Sequence, residues 1–363
     1  MAILLGLAAT KLGTADPPVS RTLCLHLPSL LAPSHWDLDV SPTLQAAALA
    51  GLGLLHCGTA NRLITEFLLA EMSRQPARDS HDTREACSLA AGWALGMNLL
   101  HKGNVVENLK GLADLRLEER LLQMITGNSK AAESFLFPGS GATSGSGRST
   151  KILESEGINA DVTAPGAIIS LALMYLQSSN ASVASRIGIP TNAYELDAIR
   201  PDILLFRAMG WCLIMWKTVE QEFPADGDEW LENIIPAIVL NALSSPLPST
   251  APLNAYAAFP VYICILSGYC LGVGLIFAGT ADERVKGVLL EKLKFLQRIR
   301  DSNNSKFPPL VVKNSRGILE MCVSCVSLSL AGVMAGTGDV DCLRIFRELR
   351  WKHDDGLFGY HMR

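Results

Sequence analysis

One nine-residue pattern recurs along the chain, and it limits the possible folds more than any other feature. Gly6-Leu-Ala-Ala-Thr-Lys-Leu-Gly13-Thr14 returns as Gly51-Leu-Gly-Leu-Leu-His-Cys-Gly58-Thr59 and as Gly96-Met-Asn-Leu-Leu-His-Lys-Gly103-Asn104. Further copies are Gly272-Val-Gly-Leu-Ile-Phe-Ala-Gly279-Thr280 and Ser329-Leu-Ala-Gly-Val-Met-Ala-Gly336-Thr337, with degenerate ones at Ala172 to Asn180 and Gly210 to Lys217. The two landmark positions of each copy are seven residues apart. Seven residues are close to two helical turns, so both landmarks share one face of a helix. Glycine inside a helix costs about 1 kcal/mol against alanine. Its repeated use there implies that a neighbouring backbone comes close. The second landmark suits the left-handed position that ends a helix. The Thr, Asn or Asp that follows can cap the next helix, and Asn61, Asp282 and Asp339 stand where that restart falls.

Amphipathic segments come next: Arg62 to Met72, Glu283 to Ile299 and Val340 to Leu349. The unit is therefore an apolar helix A, a tight Gly-Thr turn and an amphipathic helix B. Gly13 to Gly58 is 45 residues, and Gly58 to Gly103 is 45 again. Hairpins repeated in tandem bury their A helices against one another and expose one face of the B helices. The fold class expected is all-α, an α-solenoid of about six or seven hairpins. Residues 1–363 read as one solenoid domain. Residues 127–151, Gly/Ser-rich and aperiodic, read as a disordered insert.

Composition narrows the function. A net charge of -4 argues against a nucleic-acid protein, which needs a basic patch or stripe. Nine cysteines, irregularly spaced and mostly in apolar runs, form no disulfide framework and suit a reducing compartment. Cys322 and Cys325 make a CxxC without a second ligand pair, and read as two core cysteines on one helix. Met1 to Leu12 lacks the basic start of a signal peptide. Pro260 to Gly279 is long and apolar enough to span a bilayer. It reads instead as the buried helix of a large fold.

No catalytic, cofactor or metal site assembles. Ala142 to Ser149 is a near miss to a phosphate loop, with Ala142 where glycine is required, Arg148 for the lysine, and no strand before it. His81, Asp82, Glu85 and Cys87 cluster but fit no standard ligand set. His56 and His101 sit two residues before Gly58 and Gly103 and read as helix-end residues. Trp93, Trp211, Trp216 and Trp351 are candidate anchors for a partner, with core packing as the competing reading. The residues singled out are thus structural landmarks: Gly6, Gly13, Gly51, Gly58, Gly96, Gly103, Gly272, Gly279 and Gly336.

The stretches AAALAGLGLLHCGTANRLITEFLLAE and SLAAGWALGMNLLHKGN resemble proteasome/cyclosome repeats. Three segments outside the bare repeat are similar to the cyclosome branch of that family: DVTAPGAIISLALMYLQSSN (Asp161 to Asn180), YELDAIRPDILLFRAMGWCLIMW (Tyr194 to Trp216) and LLAPSHWDLDVSPTLQAAALAGLGLL (Leu30 to Leu55). The resemblance implies a solenoid curving into an arc or partial toroid, and a non-catalytic scaffold without cofactors. Its setting would be the anaphase-promoting complex/cyclosome, the multisubunit E3 ubiquitin ligase of the cell cycle, in nucleus and cytoplasm. Implied partners are the cullin/RING catalytic module, tetratricopeptide-repeat subunits, a substrate-receptor subunit and coactivator, with no nucleic acid and no membrane. The full subunit of that branch has a long N-terminal region, expected to include a β-propeller, before these repeats, so the chain reads as a fragment, a divergent short form or an incomplete gene model. The runner-up is a non-ATPase scaffold of the proteasome regulatory particle that docks ubiquitin receptors; Tyr194 to Trp216 favours the cyclosome. A polytopic membrane protein is disfavoured by charges on the B helices, among them Arg62, Glu66, Glu71, Arg344 and Arg347. An enzyme on an α/α toroid would need acidic or His groups on the inner helices, which hold almost none.

Overall fold

The computed structural model describes residues 1–31, 40–74, 84–108, 111–127, 158–223, 226–244, 253–301, 307 and 309–351. The insert at 127–151 lies, from residue 128 on, outside the described residues, as do Ala142 to Ser149, His81 and Asp82. The chain divides into two compact units, Met1–Ser178 and Ser179–Arg363. Among the described residues every regular element is helical.

In the first unit the helices are α1 (Ala2–Thr10), α2 (Pro17–Cys24), α3 (Pro42–Leu55), α4 (Arg62–Met72), α5 (Arg84–Asn98), α6 (Leu117–Thr126) and α7 (Ala160–Met174). The apolar members α1, α3, α5 and α7 pack one on the next. α4 leans on α5, and α6 on α7. In the second unit they are α8 (Ala181–Ile187), α9 (Ala193–Ala198), α10 (Pro201–Ile214), α11 (Trp216–Glu222), α12 (Gly227–Ile234), α13 (Ala237–Ser244), α14 (Ala255–Ile276), α15 (Glu283–Asp301), α16 (Pro309–Asn314), α17 (Arg316–Val333) and α18 (Val340–Trp351). Here α14 packs between α10 and α17, with α15 along α17. The three B helices expected from sequence appear as α4, α15 and α18. Their N-caps are the expected ones: Asn61 accepts from Ile64 N, Asp282 from Val285 N and Asp339 from Cys342 N.

The apolar stretch expected at Pro260 to Gly279 lies mostly within α14. α14 and α17 are the two described helices long and apolar enough to cross a membrane, and 78% of the apolar window of α14 is buried within the protein. Apolar side chains all round a helix suit that interior position.

One kind of contact joins successive A helices. Small residues, one from each helix, lie against each other at each joint, as Gly92 and Gly166 also do between α5 and α7. The pairs are Ala8 with Gly51, Gly53 with Ala94, and Gly96 with Ser170 in the first unit, and Cys212 with Gly272 and Gly274 with Ser329 in the second. A Cβ added to Gly53 would lie 2.5 Å from the Cα of Ala94. Each A helix thus offers one small residue to its predecessor and another, two positions later, to its successor. This register differs from the sequence alignment at two copies. In α5, Gly96 takes the role of Gly53, and Ala94 takes that of Gly51; in α7, Ser170 rather than Ala172 takes the role of Gly51. Gly6 faces open space, with nothing within 4 Å of an added Cβ.

Candidate interaction surface

The turns between A and B helices follow a four-residue pattern, Gly-Thr-(Ala or Gly)-(Asp or Asn): Gly13 to Asp16, Gly58 to Asn61, Gly279 to Asp282 and Gly336 to Asp339. Its first and third residues have positive φ, 68° and 50° in the first copy, 68° and 51° in the second, 72° and 55° in the third, 80° and 67° in the last. This twist points both N–H groups away from their own helix. They donate to the last carbonyls of the next A helix: Gly13 N to Leu54 O and Ala15 N to Leu55 O, each at 3.0 Å; Gly58 N to Met97 O and Ala60 N to Asn98 O, each at 2.9 Å. In the second unit Gly279 N reaches Gly332 O at 2.8 Å and Ala281 N reaches Val333 O at 3.0 Å. Helix ends leave carbonyls without partners, so each of these three turns satisfies its neighbour's orphans.

The threonine works inside its own turn. Its hydroxyl donates three residues back, Thr14 to Lys11 O, Thr59 to His56 O, Thr280 to Phe277 O and Thr337 to Met334 O, at 2.7–2.9 Å. The N-cap is the fourth residue, and Asp16, unrecognised in the sequence, caps α2 through Val19 N.

The copy at α5 departs from the sequence alignment. His101, with φ 60°, occupies the place of Gly58, three residues beyond its helix, and donates to Leu173 O at 3.3 Å. Gly103 instead opens a 3-10 turn, Gly103–Asn108, and an added Cβ there would meet the ring of Tyr175. The same two-residue offset applies after α7, where Gln177 and Ser179 carry the positive φ values. The weakest copy ends differently, because Lys217 continues into α11.

Side chains reinforce the joints. Asn98, fully buried, was not singled out by sequence: its Oδ1 accepts from Thr59 Oγ1 and Asn61 N, while its Nδ2 donates to Asn61 O and Thr65 Oγ1. A polar side chain in an apolar helix end was the available signal. Lys286 on α15 bridges Glu283 and Asp339. The Lys286 ammonium and the Cys342 N–H hold the Asp339 carboxyl down to about 2. On α4, Arg62 grips Asp114 with paired hydrogen bonds of 2.9 and 2.6 Å, and also Glu66.

No group of three or more His, Cys, Asp or Glu side chains that could hold a metal occurs among the described residues. Glu85 and Cys87 lie on α5, and burial pushes the Cys87 thiol up. Cys322 is buried and donates to Ile263 O at 3.4 Å; burial raises the Cys325 thiol to about 12. His56 is only 5% exposed, and neither ring nitrogen has a partner among the described residues. Trp93, Trp211 and Trp216 are half-buried. Trp211 stacks edge-on to Tyr269 at 6.1 Å, within a cluster that includes Trp230. The Trp351 side chain lies outside the described residues. What remains reachable is the outer side of the B helices: Leu63 is exposed on α4 in the first unit, and in the second Glu283 and Arg284 on α15 and Leu343 and Arg344 on α18. Such a surface can hold a protein partner.

Serial apolar helices joined through small residues and turn amides define a helical-repeat protein. A sequence profile described as the APC1 fifth domain matches residues 17–363. The chain belongs to the APC1 family. It is 36% identical over 99% of its length to "Anaphase-promoting complex subunit 1" of Mus musculus, covering 18% of that protein. To the protein of the same name from Arabidopsis thaliana it is 31% identical over 99% of the chain, covering 21%. To the "Negative regulator of mitosis" of Emericella nidulans it is 31% identical over 99%, covering 16%. The chain thus spans about a fifth of the length of the curated relatives it matches.

Proposed function

We propose that this chain works as a scaffold segment of the anaphase-promoting complex, holding other subunits of an E3 ubiquitin ligase in place without chemistry of its own. The observation that carries this reading is the match along nearly the whole chain to relatives named for that complex. The fold supports it: apolar residues are spent on repeat-to-repeat contacts, which leaves the B helices and turns to partners. The partners proposed are the cullin/RING catalytic module, tetratricopeptide-repeat subunits, a substrate-receptor subunit and coactivator, acting in nucleus and cytoplasm. Purification of the tagged protein from its native cells tests this. Cullin-type, RING and tetratricopeptide-repeat proteins should co-purify, with ubiquitin ligase activity that depends on them. Recovery with proteasomal ATPases, or ubiquitin transfer by the isolated chain, would overturn the reading.

A further inference from the structure

We infer that Cys264 on α14 and Cys322 on α17 form a dithiol site, which hydrogen peroxide converts to a disulfide bridging the two helices. The CxxC of Cys322 and Cys325 suggests a pairing along one helix, but Cys322 has its partner on the neighbouring one. Its sulfur lies 3.4 Å from the carbonyl oxygen of Ile263, at the peptide bond that leads into Cys264. The two thiols are within hydrogen-bonding reach of each other. Both side chains are 0% exposed. They belong to the joint that closes two turns further along α17, where Ser329 meets Gly274. One turn beyond Cys264 on α14 stands Ser267, also fully buried. Its hydroxyl has no oxygen or nitrogen partner and is turned toward Cys322. Cys322 thus receives a thiol and a hydroxyl from α14.

These surroundings separate Cys322 from the other buried cysteines. A thiol enclosed by apolar groups is inert, because the thiolate is the nucleophile and burial disfavours it. Burial pushes Cys270 and Cys325 up to about 12. Cys322 moves below the ordinary thiol value, because the hydrogen bond from Cys264 outweighs burial and Ser267 adds to it. Cys264 itself moves up. The roles in the reaction follow. The Cys322 thiolate attacks one oxygen of the peroxide and the O–O bond breaks. The hydroxide that leaves takes up the proton Cys322 gave up, and Cys322 is then a sulfenic acid. The Cys264 sulfur attacks the Cys322 sulfur, the S–O bond breaks, and the departing hydroxide takes the Cys264 proton. Two thiols have lost two electrons to one peroxide, which has become two waters. A thiol reductant reverses the bridge by exchange.

Peroxide treatment of the folded 363-residue chain, followed by blocking of free thiols and peptide mapping by mass spectrometry, tests the inference. Peptides linked through Cys264 and Cys322 should appear, and dithiothreitol should remove the link. The thermal midpoint of the second unit should rise while the bridge is in place, because a link across 58 residues of chain restricts the unfolded state. Cys325→Ser should form the bridge as the parent does, and Cys264→Ser should form none. A Cys322–Cys325 bridge in the parent, or loss of the bridge in Cys325→Ser, would return the CxxC to a single-helix pair and overturn the inference. So would a parent whose Cys264 and Cys322 stay reduced at peroxide doses that oxidise the half-buried Cys57. The map of the parent identifies the bridge by itself, so the result does not hang on how any variant folds.

Discussion

At the scale of single residues, glycine does two different jobs in this chain. Gly53 is a packing position, with Ala94 of α5 directly over it. Forcing extra carbon into such a contact typically costs about 1–3 kcal/mol. Gly53→Leu should lower the midpoint of chemical denaturation of the first unit by a corresponding amount, whereas the open site at Gly6 has room for the same change. Gly58 and Gly279 are conformational positions, with open space around them and a positive φ. His56 contributes differently again. Burial without partners lowers its pKa below the ordinary 6.5. As pH falls through that value the unfolded chain takes up a proton that the folded ring resists. Stability is therefore present above that pH and is lost as pH drops toward the folded value. Denaturation midpoints between pH 7 and pH 5 should slope downward in the parent, and the slope should flatten in His56→Leu. A parent with no slope would show that the buried ring finds a proton acceptor.

At the scale of the helix and turn, the sequence was most legible where one rule acted alone. Arg62 to Met72 came out with both ends right because an asparagine cap, an apolar stripe and a bordering polar run all agree. The turn was half legible. The glycine and the capping Asp or Asn follow from local chemistry, but the second left-handed residue is an alanine in three copies, which no propensity reveals. Ala15, Ala60 and Ala281 accept that conformation because their N–H groups reach the next helix. Those acceptors, Leu55, Asn98 and Val333, lie 38 to 52 residues away in sequence, beyond any local pattern. The same cause hid the register at α5. Gly103 looked like the landmark, yet His101 takes the left-handed place because the carbonyl of Leu173 waits there. Left-handed backbone costs a residue with a Cβ roughly 1–2 kcal/mol, and more when the side chain is branched. Gly279→Val should therefore destabilise the second unit by about that much, read as a fall in its thermal or chemical midpoint, although no neighbour lies within 4 Å of the added carbon. An unchanged midpoint would mean the turn relaxes at no cost.

At the scale of the whole molecule, stability is a sum of hairpins and the joints between them. The class of fold was legible because that sum is written as a period in the sequence. The joints were not, since the partner of each small residue sits one repeat away and alanine, serine and cysteine stand in for glycine at Ala94, Ser170 and Cys212. The proposed assembly role belongs to this scale, because a chain whose interior is devoted to holding its own repeats in series can act on other proteins only through its outer face. The ladder of turn amides carries a further meaning for descent. Its donors and acceptors are main-chain atoms, so the joint does not depend on which side chain occupies the turn. Glycine, alanine and histidine all serve as donors here. A lineage can therefore erode the visible signature copy by copy, through drift that selection on the joint does not see, and still inherit the joint intact.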